Sequence, residues 1–474
     1  MAGYHLAVDI GASSGRHILG WLDHGKIQLK EIYRFENKLI KKDGHLCWDI
    51  DHLASQVKAG ICECAKLGYQ PETMGIDTWA VDFVLLDEAG NRLTDAVAYR
   101  DERTDGISEE LEADGKLSFA EHYARTGIQF QKFNTAYQLY ALKKEDPEVL
   151  GKAENMLMIP DYLGYLLTGK KAQEYTNATT TALVNAYTKD WDRELIRRLG
   201  FPEQIFLPIK EAGSVLGDFS EEVQKETGMN IKVILPATHD TGSAYLAVPA
   251  EDDNAVFLSS GTWSLLGVEN PEPITNTESM EQNMTNEGGY EYRFRFLKNI
   301  MGLWMIQNIR RELADENGRL PSFPELIQAA VGAASFPSMV DVDDNRFLAP
   351  ASMTEEVKKA CADTDQPVPE TTGEVMQVVY RSLADDYRRA VKSLEKLTGK
   401  TYTSMNIVGG GSQDMYLNRM SANATGLTVY AGPTEGTALG NLLVQMIASK
   451  EIASLQDARN LIKESFEIKE VKPQ

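Results

Sequence analysis

Short apolar runs alternate with one amphipathic stretch over the first hundred residues. LAVDI, HILGWL and MGIDTWAVDFVLLD have the length and composition of buried strands, whereas residues 51–65 carry apolar side chains at helical spacing. Strands that alternate with a helix in this order predict a mixed sheet with a crossover helix.

The next segment, residues 107–230, is predominantly helical in pattern. Asp161 and Asp192 stand where N-caps would open the runs DYLGYLLTG and DRELIRRLG, and Gly169 and Gly200 stand where those helices would end. These residues predict two capped helices in this region.

A second α/β unit is predicted to begin with VILPA near Val233. Apolar residues recur every three or four positions over 373–397, which predicts a long helix with one buried face. The segment AVPAEDDN supplies proline and charge between the two halves. We therefore divide the chain into domains at 1–246 and 247–474.

Two glycine-serine loops of similar sequence lie 250 positions apart. DIGASSG begins at Asp9 and SSGTWS begins at Ser259, with Gly11 and Gly261 in register. Each loop separates two apolar runs, which predicts a hairpin in each half and a duplicated fold. Bare backbone N–H groups at such tips can approach a phosphate, and two tips facing across a cleft could hold one polyphosphate.

The net charge of the chain limits the classes of molecule that it is expected to bind. Forty-eight basic residues against seventy acidic residues give a formal net charge of −22. A charge of this sign repels nucleic acid and anionic membranes. We expect neither as a partner, and an anionic ligand would have to be held by local donors.

The N-terminal residues and the cysteines indicate a compartment. MAGYHLAVDIG shows neither the basic start nor the long apolar core of a secretory signal. The four cysteines have no paired CxxC spacing and are too few for a disulfide framework in a chain of 474 residues. The sequence predicts a cytoplasmic protein with reduced thiols.

Three consecutive glycines, Gly409, Gly410 and Gly411, stand between a predicted strand and a predicted helix. One interpretation is a turn that lets a nucleotide lie against the backbone beside a helix N-terminus. The other is a tight strand-to-helix connection. The run fits neither a GxGxxG fingerprint nor a Walker A loop.

The segment PATHDTGSA follows the strand VIL and precedes a helix. Asp240 could accept a proton from a substrate hydroxyl there, because side chains at the carboxyl end of a strand project into a crevice. Alternatively Asp240 caps the helix, Thr241 lies in its first turn and His239 packs in the interior. Its position between two phosphate-type hairpins favours the first interpretation.

The first hairpin offers a carboxylate for a metal. Asp9 at the end of a strand suits Mg²⁺ held mostly through waters, since that ion needs only one or two carboxylates. A turn-forming role is the alternative for Asp9. Arg16 in the same loop could clamp a phosphate or form a surface ion pair.

Further polar residues flank apolar runs. In IDTWAVDFVLLD, Trp79 offers a flat face for a sugar ring, and Asp77 and Asp82 offer acceptors for hydroxyls, although a core tryptophan is the commoner outcome. Asn299 is a polar residue that opens an apolar helix in LKNIMGLW, with helix capping as the alternative.

The chain resembles the FGGY carbohydrate kinases in an ordered series of segments. These run from residue 9 to about residue 441 and include DIGASSGR, IDTWAVDFVLLD, MIPDYLGYLLTG, EYTNATTT, HDTGSA, LSSGTWSLLG, IVGGGSQ and AGPTEGTALGN. The resemblance implies an α/β fold with two duplicated actin-like, ribonuclease H-like domains. Each domain would have a mixed sheet flanked by helices, with a cleft between the domains.

The resemblance also implies an activity. We expect ATP-dependent phosphorylation of L-rhamnulose at O1 in L-rhamnose catabolism, with Mg²⁺ and with Asp240 as the general base. The residues that match sugar positions are Ala80, His239, Asp240, Thr241 and Asn299. We add Trp79 and Asp82 as candidate sugar contacts because of their own chemistry. The residues that match ATP positions are Ala12, Ser13, Ser14, Gly15, Arg16, Thr262, Gln307, Gly409, Gly410 and Gly411. Asp9 matches the metal-associated aspartate.

Two positions depart from the family pattern. Ala80 stands where glycine is expected, and Gly242 stands where alanine is usual. A backbone contact to the sugar would tolerate the methyl group of Ala80, whereas a glycine that made room for the sugar would imply a changed substrate range.

Three other functions remain open. A kinase for another ketose, such as L-fuculose or D-xylulose, would share the nucleotide features. A non-enzymatic actin-like protein, one that polymerises or acts as a chaperone, would bind ATP and hydrolyse it without stimulation by a sugar. A regulator would need a DNA-binding module that the sequence lacks. We expect a small sugar as the partner and a monomer or weak homodimer.

Overall fold

The computed structural model describes residues 3–348 and 350–474. Its strands are β1 (Tyr4–Ile10), β2 (Ser14–Asp23), β3 (Lys26–Glu36), β4 (Leu39–Lys42), β5 (His45–Trp48), β6 (Pro71–Thr78), β7 (Phe83–Leu86), β8 (Ala96–Val97), β9 (Asn155–Met158), β10 (Gln173–Glu174), β11 (Val184–Asn185), β12 (Asp190–Trp191), β13 (Ile209–Lys210), β14 (Val215–Asp218), β15 (Lys232–Ile234), β16 (Ala255–Ser260), β17 (Ser264–Asn270), β18 (Thr285–Gly288), β19 (Phe294–Ile300), β20 (Ser404–Val408), β21 (Thr428–Ala431) and β22 (Lys469–Val471).

The α-helices are α1 (Ile50–Lys66), α2 (Ile107–Ala113), α3 (Phe119–Thr126), α4 (Thr135–Glu145), α5 (Pro147–Lys152), α6 (Ile159–Thr168), α7 (Tyr175–Ala178), α8 (Arg193–Leu199), α9 (Glu221–Thr227), α10 (Asp240–Leu246), α11 (Thr277–Glu281), α12 (Trp304–Glu312), α13 (Phe323–Gly332), α14 (Met353–Asp363), α15 (Thr372–Thr398), α16 (Met415–Thr425), α17 (Gly436–Ala448) and α18 (Leu455–Ser465). Short 3₁₀ helices occur at Glu102–Thr104, Thr179–Thr181, Glu203–Ile205, Tyr290–Tyr292, Asn345–Phe347 and Gly410–Gln413. Within the described ranges no helix combines the length and apolarity that a membrane crossing requires.

The chain forms two compact units that are not continuous in sequence. Unit 1 comprises the chain up to Ala247 together with Glu269–Phe296 and Gly436–Ser465. Unit 2 comprises Val248–Val268, Leu297–Glu435 and Phe466–Gln474. The sequence-based division into 1–246 and 247–474 assigned both returning segments to the second domain. They belong to unit 1 because their apolar residues complete its core.

Unit 1 contains a six-stranded mixed sheet in the order β14-β15-β6-β1-β2-β3. β1 runs parallel to β6 and antiparallel to β2, and β6 runs parallel to β15. Side chains alternate between the two faces of β1, so that Leu6 and Val8 join the core that contains α1, whereas Ala7 packs with Leu442 of α17. Helices therefore cover both faces of this sheet.

Unit 2 repeats this arrangement with different residues. From β19 onward, its sheet follows the order β19-β17-β16-β20-β21-β22. β16 is antiparallel to β17 and parallel to β20, β20 is parallel to β21, and β21 is antiparallel to β22. Strand by strand, this order matches β3-β2-β1-β6-β15-β14 of unit 1. The predicted duplication, with mixed sheets and flanking helices in each half, is confirmed.

The two glycine-serine loops are hairpin turns, as predicted. The Gly11 amide donates to the Ser14 carbonyl at 2.9 Å between β1 and β2. The Gly261 amide donates to the Trp263 carbonyl, also at 2.9 Å, between β16 and β17. Asp9 and Ser259 occupy the same penultimate position of their strands.

Most of the predicted helices are present. α1 and α15 coincide within a residue with the patterns at 51–65 and 373–397. Asp192 caps α8 by accepting a hydrogen bond from the Leu195 amide. The prediction that Asp161 caps a helix is wrong: α6 begins at Ile159, and Asp161 lies in its first turn. Pro160 fits that first turn because its missing N–H has no helical partner there.

The prediction that Asn299 opens a helix is also wrong. Asn299 lies in β19, and α12 begins only at Trp304, after Gly302. The amides of Leu303 and Trp304 donate to the carbonyls of Gly261 and Thr262 at 3.2 and 3.0 Å. The turn of the unit 2 hairpin therefore fixes where this helix starts.

Two helices of unit 1 cross at a glycine. A Cβ atom on Gly440 of α17 would lie 1.7 Å from the carbonyl oxygen of Ser243 in α10. A side chain at this position would push the helices apart, so the glycine permits their backbones to touch. This contact holds α10, which begins with Asp240, against α17.

Candidate functional site

Three aspartates lie at one edge of the unit 1 sheet. Asp9 and Asp77 are register partners in the parallel pair β1–β6. His239 forms a bridge with Thr78 at the end of β6, and Asp240 follows as the first residue of α10. Because β1, β6 and β15 are parallel, their carboxyl ends share one edge, where ligands bind in open α/β sheets.

Asp240 is held by one carboxylate oxygen. Its Oδ1 accepts hydrogen bonds from the Thr241 amide at 2.5 Å and the Thr241 hydroxyl at 3.1 Å. Among the described residues none donates a hydrogen bond to Oδ2. Asp240 is the first helical residue and His239 is the N-cap, so the capping alternative does not describe it.

The environment of Asp240 suits proton transfer near neutral pH. About a third of the side chain, 33%, is exposed. Burial of the remainder, followed by the nearby Asp9 carboxylate, raises the pKa of Asp240 to about 7. A general base is most effective when its pKa lies near the working pH.

His239 is a buried, neutral imidazole that contacts three charged groups, Arg295, Glu287 and Asp240. Its Nδ1 lies 3.0 Å from Nη2 of Arg295, and its Nε2 lies 3.4 Å from Oδ1 of Asp240. Burial, together with the Arg295 charge, lowers the pKa of His239 well below its ordinary value. The packing interpretation of His239 thus captures its burial but not its contact with Asp240.

Arg295 and Glu287 escaped the sequence analysis. Arg295 is fully buried, its Nη1 lies 3.1 Å from Oε2 of Glu287, and its Nε donates to the Gly288 carbonyl at 2.8 Å. The signal available in the sequence was the alternation of arginine and phenylalanine in RFRFL, where Arg295 stands between two phenylalanines of a strand-like run. Buried charges of this kind need partners, and here each is the other's partner.

Arg16 forms an ion pair with Asp9. Its Nε and Nη2 donate to Oδ2 of Asp9 at 3.1 and 2.9 Å across the hairpin, where the two residues are register partners. Of the two roles left open for Arg16, pairing is the one formed here. The pair keeps the Asp9 carboxylate oriented at the end of β1.

The donor set fits a hydrated Mg²⁺ ion. Asp77 Oδ2 accepts from Asn441 at 2.6 Å, whereas its buried Oδ1 has no hydrogen-bond partner within the described residues. Burial, followed by the Asp9 and Asp240 charges, raises the pKa of Asp77 well above its ordinary value. Carboxylate oxygens at one edge of a sheet suit a hard ion that keeps most of its waters.

A second acidic group lies in unit 2 and is already neutralised. Asp341, Asp343 and Asp386 are the one set of potential ligands within 4.8 Å of one another across the described ranges. The ammonium of Lys298 lies 2.6 Å from Asp343 and 3.6 Å from Asp386. An ion pair therefore occupies the place that a cation would take.

Asp82 organises the aromatic side chains next to the site. It is buried, and Trp48 and Trp79 donate to its Oδ2 at 2.6 and 3.0 Å, while Gln138 donates to Oδ1 at 2.9 Å. The rings of Trp48 and Trp79 lie 4.2 Å apart. Both oxygens of Asp82 are thus engaged by protein groups, and Asp82 acts on its surroundings by fixing Trp79.

Ala80 precedes a strained residue. The Asp82 amide donates to the Ala80 carbonyl at 2.9 Å, and Val81 between them has φ 66°. This is a γ-turn of the rare, strained form, and a β-branched residue adopts it only under constraint. Thr135 supplies part of that constraint by donating to the Val81 carbonyl at 2.6 Å. Ala80 itself does not have a positive φ, so its backbone does not require the expected glycine.

Gly242, the other departure, stands in a tight space. A Cβ atom there would lie 3.2 Å from the Cβ of Ala237 and 3.4 Å from the Cβ of Thr176. The usual alanine would require these neighbours to give way slightly. Glycine at this position of α10 avoids that crowding.

The first hairpin tip is pinned by a residue that the sequence analysis missed. Asn37 donates from its side chain to the Gly11 carbonyl at 2.9 Å and from its amide to the Ser13 carbonyl at 3.0 Å. Gly15 is required by packing, since a Cβ there would lie 2.1 Å from the Phe35 ring. Ala12 and Ser14 are half-buried, and Ser13 is exposed at the tip.

In the triple glycine of unit 2, packing requires two of the glycines, and the third is surrounded by open space. A Cβ on Gly409 would lie 2.9 Å from the Ser260 carbonyl oxygen, and one on Gly411 would lie 1.9 Å from the Ser260 hydroxyl. Gly410 is exposed, with open space where a side chain would stand. The tight-connection interpretation accounts for Gly409 and Gly411 and leaves Gly410 free for a ligand.

The remaining predicted site residues also belong to unit 2. Thr262 is exposed at the second hairpin tip, Gln307 is half-buried in α12, and Asn299 is half-buried in β19. The sequence-predicted residues thus divide between the units. Unit 1 holds the acidic group, the first hairpin and the aromatic cluster, and unit 2 holds the second hairpin, Gln307, Asn299 and the triple glycine.

Solved structures of sugar kinases share this architecture. A gluconate kinase from Lactobacillus acidophilus superposes with a TM-score of 0.82 at 18% identity, covering 100% of this chain and 94% of that one. A xylulose kinase from the same organism gives a TM-score of 0.78 at 18% identity, covering 100% of this chain and 94% of that one. At this identity the likeness concerns the fold.

Relatives of higher identity cover nearly the whole chain. A rhamnulokinase from Oceanobacillus iheyensis is 53% identical over 464 residues, 98% of this chain and 97% of that protein. A rhamnulokinase from Bacillus subtilis is 46% identical over 470 residues, 99% of this chain and 95% of that protein.

Family models match both halves. The model of the N-terminal domain of the FGGY family of carbohydrate kinases matches residues 4–247, and the model of its C-terminal domain matches residues 256–449. These matches begin at the first strand of each repeat, β1 and β16, and together they cover most of the chain. The chain belongs to the FGGY family of carbohydrate kinases.

Proposed function

We propose that this carbohydrate kinase transfers the γ-phosphoryl group of ATP to O1 of L-rhamnulose, giving L-rhamnulose 1-phosphate and ADP in the breakdown of L-rhamnose. The observation that carries the proposal is Asp240, whose Oδ1 is held by Thr241 while Oδ2 accepts no hydrogen bond from the described residues. The choice of sugar is supported by relatives of 53% and 46% identity that are named rhamnulokinases.

Asp240 acts as the general base in this proposal. Oδ2 accepts the O1 proton as the oxygen attacks phosphorus, and Thr241 keeps the carboxylate from rotating. Phosphoryl transfer needs little covalent help, so alignment of O1 and stabilisation of charge account for most of the acceleration. A base with a pKa of about 7 is largely deprotonated above neutral pH and is therefore ready to accept the proton.

The acidic edge of unit 1, which is formed by Asp9, Asp77 and Asp240, would hold the metal. Asp9, oriented by Arg16, would bind Mg²⁺ mainly through waters, with Asp77 as a further acceptor. When bound, the ion supplies charge neutralisation for the phosphates of ATP.

The nucleotide would be held by backbone groups, by neutral side chains and by Arg16. We assign this role to the hairpin tips, to Gln307 and to the glycine turn. These residues are Ala12, Ser13, Ser14, Gly15, Arg16, Thr262, Gln307, Gly409, Gly410 and Gly411. The exposed tips and the open position at Gly410 support the assignment, because bare amides can approach phosphate oxygens.

The sugar would contact Asp240 of the same edge. We assign Trp79, Ala80, His239 and Thr241 to the sugar together with Asp240, and Asp82 contributes by fixing Trp79. Asn299 is assigned to the sugar by its match to the family pattern alone.

A ketose panel tests the substrate. Phosphorylation is measured by ADP release with L-rhamnulose, L-fuculose and D-xylulose, and we expect the highest kcat/KM for L-rhamnulose. Asp240→Asn should lower kcat by roughly 10² to 10⁴. Asp146→Asn is the control, because Asp146 caps α5 and asparagine also caps helices.

Three outcomes would overturn the proposal. A higher kcat/KM for another ketose would reassign the sugar, and a near wild-type Asp240→Asn would remove the proposed base. ATP hydrolysis that no sugar stimulates would favour a non-catalytic actin-like role.

We further propose a cytoplasmic protein that is a monomer or weak homodimer. The four cysteines are all unbridged, and three of them, Cys47, Cys64 and Cys361, are buried. Free thiols are typical of a reducing compartment. Sedimentation at micromolar concentration measures the assembly state.

A further inference from the structure

A hairpin of unit 1 places a buried arginine behind His239. β18 and β19 are joined by a turn in which Glu291 and Tyr292 both have φ near 56°, at 56° and 55°. The Gly289 amide donates to the Arg293 carbonyl at 2.7 Å, and the Arg293 amide donates to the Tyr290 carbonyl at 3.1 Å. Two consecutive left-handed residues make a hairpin turn that normally uses asparagine and glycine, so the surrounding structure must enforce it.

The hairpin brings three groups to the guanidinium of Arg295. Nε donates to Gly288 at 2.8 Å, Nη1 lies 3.1 Å from Glu287, and Nη2 lies 3.0 Å from Nδ1 of His239. All of these residues are buried, with Arg295 fully so. A buried ion pair of this kind seldom adds stability, and its best-attested use is to specify one arrangement.

The contact with Arg295 fixes the chemistry of the imidazole. Nδ1 of His239 lies 3.4 Å from Oε2 of Glu287, but its shorter contact, at 3.0 Å, is with Nη2 of Arg295. An arginine guanidinium has only donors, so Nδ1 of His239 must be the acceptor in the contact with Arg295. A neutral imidazole that accepts at Nδ1 carries its proton on Nε2. That Nε2–H faces Oδ1 of Asp240 at 3.4 Å.

With His239 in this tautomer, each group that contacts Oδ1 of Asp240 presents an N–H or O–H to it. The Thr241 amide, the Thr241 hydroxyl and the Nε2–H of His239 all meet this atom. The opposite tautomer would place a lone pair against the carboxylate, and repulsion would turn Asp240 away. The orientation of Asp240 thus depends on a residue 55 positions further along the chain.

We propose that Arg295 is a positioning residue for phosphoryl transfer: it fixes His239 in the Nε2–H tautomer, which holds Oδ1 of Asp240 and leaves Oδ2 directed to the sugar hydroxyl. The inference rests on the proposed function of Asp240 as the base. Glu287 serves as the counter-charge that allows the guanidinium to be buried beside the imidazole.

The test combines NMR with kinetics. The protein is labelled with ¹⁵N in the imidazole rings of its seven histidines, and the His239 signals are identified by their loss in His239→Gln. The wild type should show protonated Nε2 and unprotonated Nδ1 at His239. Arg295→Met combined with Glu287→Gln removes the donor without leaving a buried charge.

We expect this double variant to lose the single tautomer and to show a protonated Nδ1 fraction. Its kcat should fall on the order of 10²-fold, the loss typical of a misplaced reacting group, while KM for ATP stays unchanged. Arg295→Lys supplies one donor to Nδ1, so it should recover part of the Nε2–H tautomer population and part of the lost kcat. Arg293→Gln, on the same hairpin, is the matched control and should leave the tautomer and kcat as in the wild type.

A double variant that keeps the Nε2–H tautomer with wild-type kcat overturns the inference. If the double variant does not fold, the two single variants test the inference. Glu287→Gln should keep the wild-type tautomer of His239, and Arg295→Lys should show a mixture of tautomers with a reduced kcat. Failure of the proposed function is a separate result: the wild type would phosphorylate no ketose, while the spectrum would still report whether Arg295 sets the tautomer.

Discussion

The Glu174 carboxylate accepts two hydrogen bonds from Thr238, one from its amide at 3.1 Å and one from its hydroxyl at 2.7 Å. Glu174 is buried and also accepts from the Thr176 amide and hydroxyl and from the Asn177 amide. On the other side of the chain, the Thr78 amide donates to the Thr238 carbonyl at 2.9 Å. The backbone two residues before Asp240 is therefore fixed from both sides.

Glu174→Gln should weaken this support. The amide group of glutamine presents hydrogens to groups that are themselves donors, and a buried donor left unsatisfied costs about 1 to 3 kcal/mol. We expect a lower midpoint in urea denaturation together with a reduced kcat. Glu221→Gln, at an exposed position in α9, is the control. Unchanged stability would show that the five hydrogen bonds are not needed.

The pH dependence of the reaction should report Asp240. Only the deprotonated carboxylate can accept the O1 proton, and burial raises its pKa to about 7. We expect log(kcat/KM) to fall with a slope of one as the pH drops below about 7 and to level off above it. The measurement is a rate profile from pH 5.5 to 8.5. A profile that is flat through this range would contradict the assignment.

Loss of the Asp9 carboxylate should weaken metal binding. Asp9→Asn removes one charged acceptor from the acidic edge and leaves Arg16 without its partner carboxylate. We expect the Mg²⁺ concentration for half-maximal rate to rise on the order of tenfold or more. Asp23→Asn, at the exposed end of β2, should leave this concentration unchanged. An equal Mg²⁺ requirement in Asp9→Asn would remove Asp9 from the metal site.

Gly440→Ala should destabilise the protein although alanine favours helices. The new Cβ would lie 1.7 Å from the Ser243 carbonyl oxygen, and overpacking of this kind costs typically 1 to 3 kcal/mol. Gly151→Ala in α5 is the matched control, because open space surrounds that position. There alanine should stabilise by up to about 1 kcal/mol. Thermal denaturation measures both, and a stabilised Gly440→Ala would refute the close helix crossing.

Ala80→Gly tests whether the methyl group selects the sugar. Ala80 does not have a positive φ and is tied to the turn through its carbonyl, so we expect kcat/KM for each ketose to change by less than about tenfold. A methyl group in direct contact with the sugar would contribute about 1 to 3 kcal/mol to selectivity. A larger change, or a new order of preference among the ketoses, would show such a contact.

Local patterns predicted the parts of the fold that depend on neighbours in sequence. The two hairpins followed from Gly11 and Gly261 between apolar runs, and α15 followed from its heptad-like spacing. Asn299 was misplaced because the apolar run LKNIMGLW has no marker for its change from strand to helix. That change is set by hydrogen bonds to Gly261 and Thr262, some forty residues earlier.

The parts of the site that escaped prediction depend on distant partners. Arg295 contacts His239 across 56 residues, and Glu174 contacts Thr238 across 64 residues. Val81 carries strain that no propensity indicates, because a β-branched residue rarely adopts φ 66°. The motif at Asp240 could be read from the sequence, whereas the residues that orient it could not.

The packing of α17 on β1 and β6 bears on how the protein is made. Asn441 bonds to Asp77 across 364 residues, and Gln445 bonds to the Leu6 carbonyl across 439 residues. A ribosome releases the N-terminal strands long before these partners exist, and contacts of such separation form slowly. The helix α17, which packs against the strands that carry Asp9 and Asp77, is therefore added only near the end of translation, after unit 2 has been almost entirely synthesised. A nascent chain that stalls before residue 436 would carry all three aspartates and still lack an assembled site.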